Sequence, residues 1–147
     1  MDAVMQTATV RQSALPLERA AVVEFPEGLV GLPEAKHFDF EVSEEITPLL
    51  RMRCLDRKDL SFLVVDPELV LAGYQPKFGP DALHAIGLAE GGPSLVLAVA
   101  QIAPRLEDCT ANLLAPLLIN PASMKGLQVI LDPGRYTTRH PLVASQE

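Results

Sequence analysis

Tryptophan is absent from this 147-residue sequence, and aromatic residues make up only 5% of it. A core without them has to be aliphatic, built from Leu, Val, Ile and Ala. Cysteine occurs twice, at Cys54 and Cys109, with no C-x-x-C spacing, so neither a zinc site nor a dithiol motif is indicated. Two buried free thiols in a reducing cytosol are the expected state. Long hydrophobic runs are missing as well. The longest clean one is Leu95 to Ala100, far short of the ~20 residues of a membrane helix. The first residues lack both a basic stretch and an apolar stretch, which is unlike a secretory leader, and a cytoplasmic location is expected. Positive charge is scarce: 12 Lys and Arg against 19 Asp and Glu give a net charge of −7. Such a chain has no general attraction to phosphate backbones, which disfavours direct nucleic-acid binding. A basic partner protein suits it better, and plain solubility is the simpler use of the same charge.

Proline, by contrast, is abundant at 13 residues, several of them in X-Pro pairs between apolar runs: Phe25-Pro26, Asp66-Pro67, Gln75-Pro76, Asn120-Pro121 and Asp132-Pro133. Each removes a backbone donor and biases its predecessor towards extended geometry, which suits short strands and turns better than long helices. Residues 1–19 have weak periodicity and read as a flexible N-terminal tail, with 143–147 as a C-terminal tail. Between them, 20–142 reads as one domain, a length sufficient for a single core.

Ala21 to Phe25 reads as a first strand, followed by a connection with two glycines and two prolines in eight positions. His37 to Ser43 alternates without a break, so Phe38, Phe40 and Val42 should face the core. Ile46 to Leu55 puts Leu50, Met52 and Cys54 on one side and Arg51 and Arg53 on the other. Leu60 to Val65 is a nearly all-apolar strand stopped by Asp66-Pro67. Pro80 to Gly87 carries the helix signal: Pro80 at the first position, Asp81 at the positive dipole end, and Gly87 as terminator. Ser94 to Ala103 reads as a strand buried on both faces, Cys109 to Ile119 as an extended segment broken by Pro116, and Leu127 to Leu131 as the last strand. The fold class is therefore all-β, mainly β with one short helix: a small barrel-like domain of about seven short strands, since a closed sheet leaves no aggregation-prone edge.

No nucleotide-binding loop, nucleophile elbow, zincin helix or calcium loop is present. Cys54 or Cys109 could serve as a nucleophile and His37, His84 or His140 as a base, but Cys54 falls on the apolar side of its strand and the histidines are scattered on polar positions, so no activated constellation forms. Arg51, Arg53, Arg57 and Lys58 make a local basic cluster. Asp56 and Asp59 are interleaved with it, which favours a solvated face over a binding patch. Asn112 to Asn120 is unusual: two Asn bracket an apolar stretch with an internal Pro. The Asn side chains can cap or turn the backbone, or the stretch can be an edge open to strand addition by a partner.

The order and spacing of Phe25-x-x-Gly28-Leu29-x-Gly31, Phe62-Leu63-Val64-x-Asp66-Pro67, Tyr74, Thr110-Ala111-Asn112-Leu113-x-Ala115-Pro116-x-x-Ile119-Asn120, Gln128-Val129 and Tyr136 resemble the FliW family over about residues 20 to 142. Met52-Arg53-Cys54 departs from the family's usual Leu-Gln-Ser, and Ala72-Gly73 from its Pro-Asp. The resemblance implies a small, monomeric, barrel-like protein without catalytic activity or cofactor, one that acts as a chaperone-like flagellar assembly factor. It implies that the chain binds newly made flagellin in the cytoplasm and also binds the translational regulator CsrA, so that flagellin level is coupled to flagellin translation. The residues expected to carry binding are Asp66 and Glu68 at the turn, Tyr74 as an aromatic anchor unless it is a core residue at a strand corner, Glu107 and Asp108 as acidic surface, and Asn112 and Asn120 at the ends of the unusual stretch. A small-ligand barrel using its interior and a Cys-dependent hydrolase stand as rival readings.

Overall fold

The computed structural model describes residues 22–143, so the expected tail at 1–19 and nearly all of that at 143–147 lie outside the described residues. The strands are β1 (Val23–Glu24), β2 (His37–Val42), β3 (Leu50–Cys54), β4 (Ser61–Val65), β5 (Leu95–Gln101), β6 (Thr110–Ala111), β7 (Leu117–Asn120), β8 (Lys125–Gln128) and β9 (His140–Pro141). Two short helices, α1 (Pro67–Val70) and α2 (Pro80–Ala85), lie between β4 and β5. The hydrogen-bonded order β1-β2-β3-β4-β5-β7-β8 returns to β1, closing a seven-stranded barrel. Closure is made by a parallel pairing of Glu24 with Lys125, supported by the Glu24 N–H donating to the Met124 carbonyl at 3.0 Å. β6 and β9 extend the sheet outward from β5.

Period-two alternation decides what enters the barrel. Phe38 and Phe40 point inward, as do Leu50, Met52 and Cys54, while Arg51 and Arg53 point out. The interior is filled by Phe25, Phe38, Met52, Leu97, Leu117 and Ile119, with Phe25 and Phe38 meeting edge to face at 5.5 Å. Edge-to-face packing suits the ring quadrupoles. Phe25 also explains a glycine: a Cβ on Gly126 would come within 2.6 Å of its ring. Gly28 turns the chain at φ 73°, with the Pro33 backbone 2.4 Å from where a Cβ would sit.

β5 is covered on both faces, as its continuous apolar run requires. Leu95, Leu97 and Val99 enter the barrel. Ala98 joins an outer cluster with Val65, Tyr74, Ala111 and Leu113, and Val96 packs against that cluster and against a second one formed by Ile86, Leu88 and Leu118 beneath α2.

Four local expectations differ from the structure. Residues 46–49 form a turn rather than strand, because the Ile46 and Thr47 N–H groups both donate back to the Ser43 carbonyl. Asp66-Pro67 starts a helical turn as well as ending β4: the Asp66 side chain accepts from the Glu68 N–H at 3.0 Å, and Pro67 occupies the first turn. One turn is too short to leave a periodic signal, which is why one helix was expected and two are found. The last barrel strand lies at Lys125–Gln128 rather than 127–131. Val129 and Leu131 still donate to the Pro116 and Leu114 carbonyls, but there the partner chain is broken by its own turn. Finally, β7 is no edge. It lies between β5 and β8, with all four residues buried, so strand addition to the Leu117–Asn120 stretch is ruled out because both sides of its backbone are paired.

Among the described residues no helix is long and apolar enough to cross a membrane.

Candidate protein-docking surface

The residues singled out in the sequence fall into two groups, those that hold the frame and those that reach solvent. Tyr74 belongs to the frame. It is 3% exposed, its hydroxyl donates to the Leu113 carbonyl at 2.7 Å, and its ring meets Tyr136 edge-on at 4.7 Å. Burial raises the phenol above its ordinary value, so the group stays protonated and donating. As a surface anchor Tyr74 is therefore corrected: it is a corner post between α1 and the segment at Leu113. Tyr136 is the half-buried outer ring of the pair, with the Arg135 guanidinium 5.7 Å above it.

Both asparagines act on backbone. Asn112 Oδ1 accepts from the Leu114 and Ala115 N–H groups at 3.1 and 2.9 Å, bending the chain out between β6 and β7. Asn120 is buried. Its Nδ2 donates to the Ile86 and Gly87 carbonyls at 2.9 and 3.2 Å, and its Oδ1 accepts from the Ala122 N–H. These carbonyls follow the last turn of α2, where no further helical N–H is available. Asn120 thus ties α2 to the barrel wall and offers no polar atom to a partner. Asp66, equally buried, caps α1.

Glu68, Glu107 and Asp108 reach solvent, Glu68 only in part. Glu107 and Asp108 stand on a 3-10 turn, Leu106–Asp108. Arg105 donates to Glu107, and that bond holds the Glu107 carboxyl below the ordinary range. Beside them Ile102 and Leu106 are exposed, and the Cys109 thiol beneath donates to the Ala103 and Arg105 carbonyls.

Two surface features were not found by sequence reasoning. The first is an ionic ladder on the outer face of β2 and β3. Arg53 forms a two-pronged bond to Asp39, with Nε and Nη2 at 2.9 and 3.1 Å, and Arg51 pairs with Glu41 at 3.5 Å. Arg57 pairs with both Glu34 and Asp59. Asp39 raises the Arg53 guanidinium, and Asp59 ahead of Glu34 raises that of Arg57. The basic cluster is therefore a solvated face, but it is neutralised across strands as well as within its own turn. The signal was present in His37-x-Asp39-x-Glu41 against Arg51-x-Arg53, and only the register Asp39 to Arg53 and Glu41 to Arg51 converts it into pairs. Asp56 lies next to this face, accepting the Lys36 and His37 N–H groups, which hold its carboxyl low.

The second feature is a groove of about 310 Å³ beside α2, lined by Phe78, Pro80, Leu83, His84, Leu88 and Glu90. Its residues come from a helix and the return towards β5, so no local motif announces it. Among the described residues no cluster of His, Cys, Asp and Glu is arranged to hold a metal.

The family model described as FliW protein matches residues 6–142. A flagellar assembly factor FliW from Geotalea uraniireducens is 32% identical over 143 residues, covering 97% of this chain and 87% of the relative. The FliW of Geobacter sulfurreducens is 30% identical over 137 residues, covering 93% and 86%. A crystal structure of the flagellar assembly factor FliW superposes with a TM-score of 0.79 at 27% identity, covering 88% of this chain and 90% of that one.

Proposed function

The chain belongs to the FliW family, and from that membership we propose that it works by binding flagellin and CsrA in the cytoplasm, the two competing for it. When flagellin is scarce the free protein holds CsrA away from its message. When flagellin accumulates it occupies the protein, and the released CsrA represses flagellin translation. The observation that carries this reading is the family match over residues 6–142, whose relatives are named flagellar assembly factors.

Physical features add support. The acidic balance, net −7, suits a protein that binds a basic RNA-binding regulator while repelling the RNA itself. The rival readings fare worse. The barrel interior, where a small ligand would have to sit, is occupied by Phe25, Phe38, Met52, Leu97 and Ile119. Cys54 lies inside the barrel, while His37 is on the outer face against Asp56, so the two do not form a nucleophile–base pair.

Size-exclusion chromatography with flagellin and CsrA from the same organism, separately and together, tests the reading. Complexes with each and displacement of CsrA by flagellin are expected. A folded protein that binds neither overturns it. Raising the salt concentration should weaken the CsrA complex through screening, and salt-insensitive binding would remove the electrostatic part.

A further inference from the structure

We propose that the groove beside α2 is a docking seat for a cationic amphipathic segment of a partner protein, one that inserts an apolar side chain between Phe78 and Leu83 and places a Lys or Arg against Glu90. The proposal deepens the partner-binding reading above and rests on it for the identity of the partner. Its own support is the shape and charge of the groove.

The chain has five phenylalanines. Phe25, Phe38, Phe40 and Phe62 belong to the barrel interior or pack against it. Phe78 is the exception: it is half-buried and lines the groove wall, with Leu83 and Leu88 beside it. An aromatic ring bordering open space in a chain so poor in aromatics is the kind of group that anchors interfaces. The wall beneath does not need the groove to be filled, because Leu118 is already fully buried under Ile86 and Leu88.

Charge selects the occupant. The acids of the β2–β3 face are taken up by Arg51, Arg53 and Arg57, so that face gains little from a basic partner. Glu90 is exposed, and among the described residues it is in no ion pair. Glu90 lies in the groove lining, so its charge is available to a cation seated there. An apolar side chain flanked by Lys or Arg satisfies both parts of the groove at once, which is how amphipathic helices dock in grooves. The seat is also held firmly at one end, because Asn120 and Ser123 both donate to the Ile86 carbonyl.

The absence of tryptophan makes a clean test possible. In the full-length Phe78→Trp variant the new indole is the sole one, and its emission reports on the groove. Titration with a synthetic amphipathic Leu–Lys helical peptide should shift that emission to the blue. Adding the exposed substitution Glu90→Lys should weaken the response at least tenfold, with circular dichroism unchanged. No response to the peptide, or an undiminished one with Glu90→Lys, overturns the proposal. The same variant is then run with flagellin and with CsrA. An emission shift on complex formation with either supports the seat. Complexes that leave the emission unmoved overturn the seat while the partner reading stands. A peptide response without complexes with either protein supports the seat and overturns the partner reading.

Discussion

The outer face of β2 and β3 and the outer face of β5, β7 and β8 belong to one closed sheet, yet they meet solvent differently. On the first, the outward strand positions Asp39, Glu41, Arg51 and Arg53 are all charged, and the charges are matched across the strands. On the second, the outward positions include Val96, Ala98, Leu118 and Leu127, and the chain covers these with Tyr74 and Tyr136 on one side and with α2 on the other. A face of the first kind needs nothing laid over it, since screened surface pairs contribute little either way. A face of the second kind must be covered, because apolar area left in water costs about 25 cal/mol per Å². The covering elements are the irregular parts of the molecule, and they carry the groove.

This contrast can be attacked in order of expected effect. Tyr74→Ala should be the most damaging substitution on the covered side, removing a buried ring and the donor to Leu113; about 3–5 kcal/mol is expected in denaturant unfolding. A loss below 1 kcal/mol would mean the tyrosine layer is dispensable. Tyr74→Phe keeps the ring and leaves the Leu113 carbonyl without its partner, so about 1–3 kcal/mol is expected. Asn120→Ala should cost about 1–3 kcal/mol for the same reason, and amide exchange should accelerate across Pro80–Ala85 before the barrel strands, because its bonds hold the end of α2. Uniform acceleration would show that α2 and the barrel open together.

The charged side should respond to pH and salt. Asp56 has a lowered carboxyl in the folded state, so its stabilisation is fully present above the unfolded value of about 3.9 and is lost as pH falls through the lower folded value. Asp56→Asn should therefore be less stable than the parent at neutral pH, and the two should converge in acid. A constant gap across that range would assign the effect to geometry and not to charge. The smallest effect is expected for Arg53→Ala: a shift in unfolding midpoint near the limit of detection, fading further as salt is raised. A large, salt-resistant loss would show that the arginine stem, and not its charge, covers the wall.

Much of the site's frame was legible as segments and not as contacts. Tyr74, Asn112 and Asn120 stood out in the sequence, and all three prove important to the architecture, but their partners Leu113, Leu114 and Ile86 are backbone groups that no spacing rule identifies. The short α1 was hidden because one turn gives no period. The groove was hidden because Phe78 and Glu90 are twelve positions apart in the numbering, with α2 and the turn at Gly87, where φ is 70°, between them.

The sequence by itself determined the all-β class, the inward rows of β2 and β3, the helix at Pro80 and the acidic surface. These follow from alternation, proline placement and composition, which act within a few residues of chain. Tertiary structure alone decided that the strands close through β1 and β8, that β7 is central and not an edge, that Arg53 answers Asp39, and that an open groove borders α2. Each of these is a pairing between distant segments, and which distant segments meet is set by the burial of the whole barrel and not by any one stretch of it.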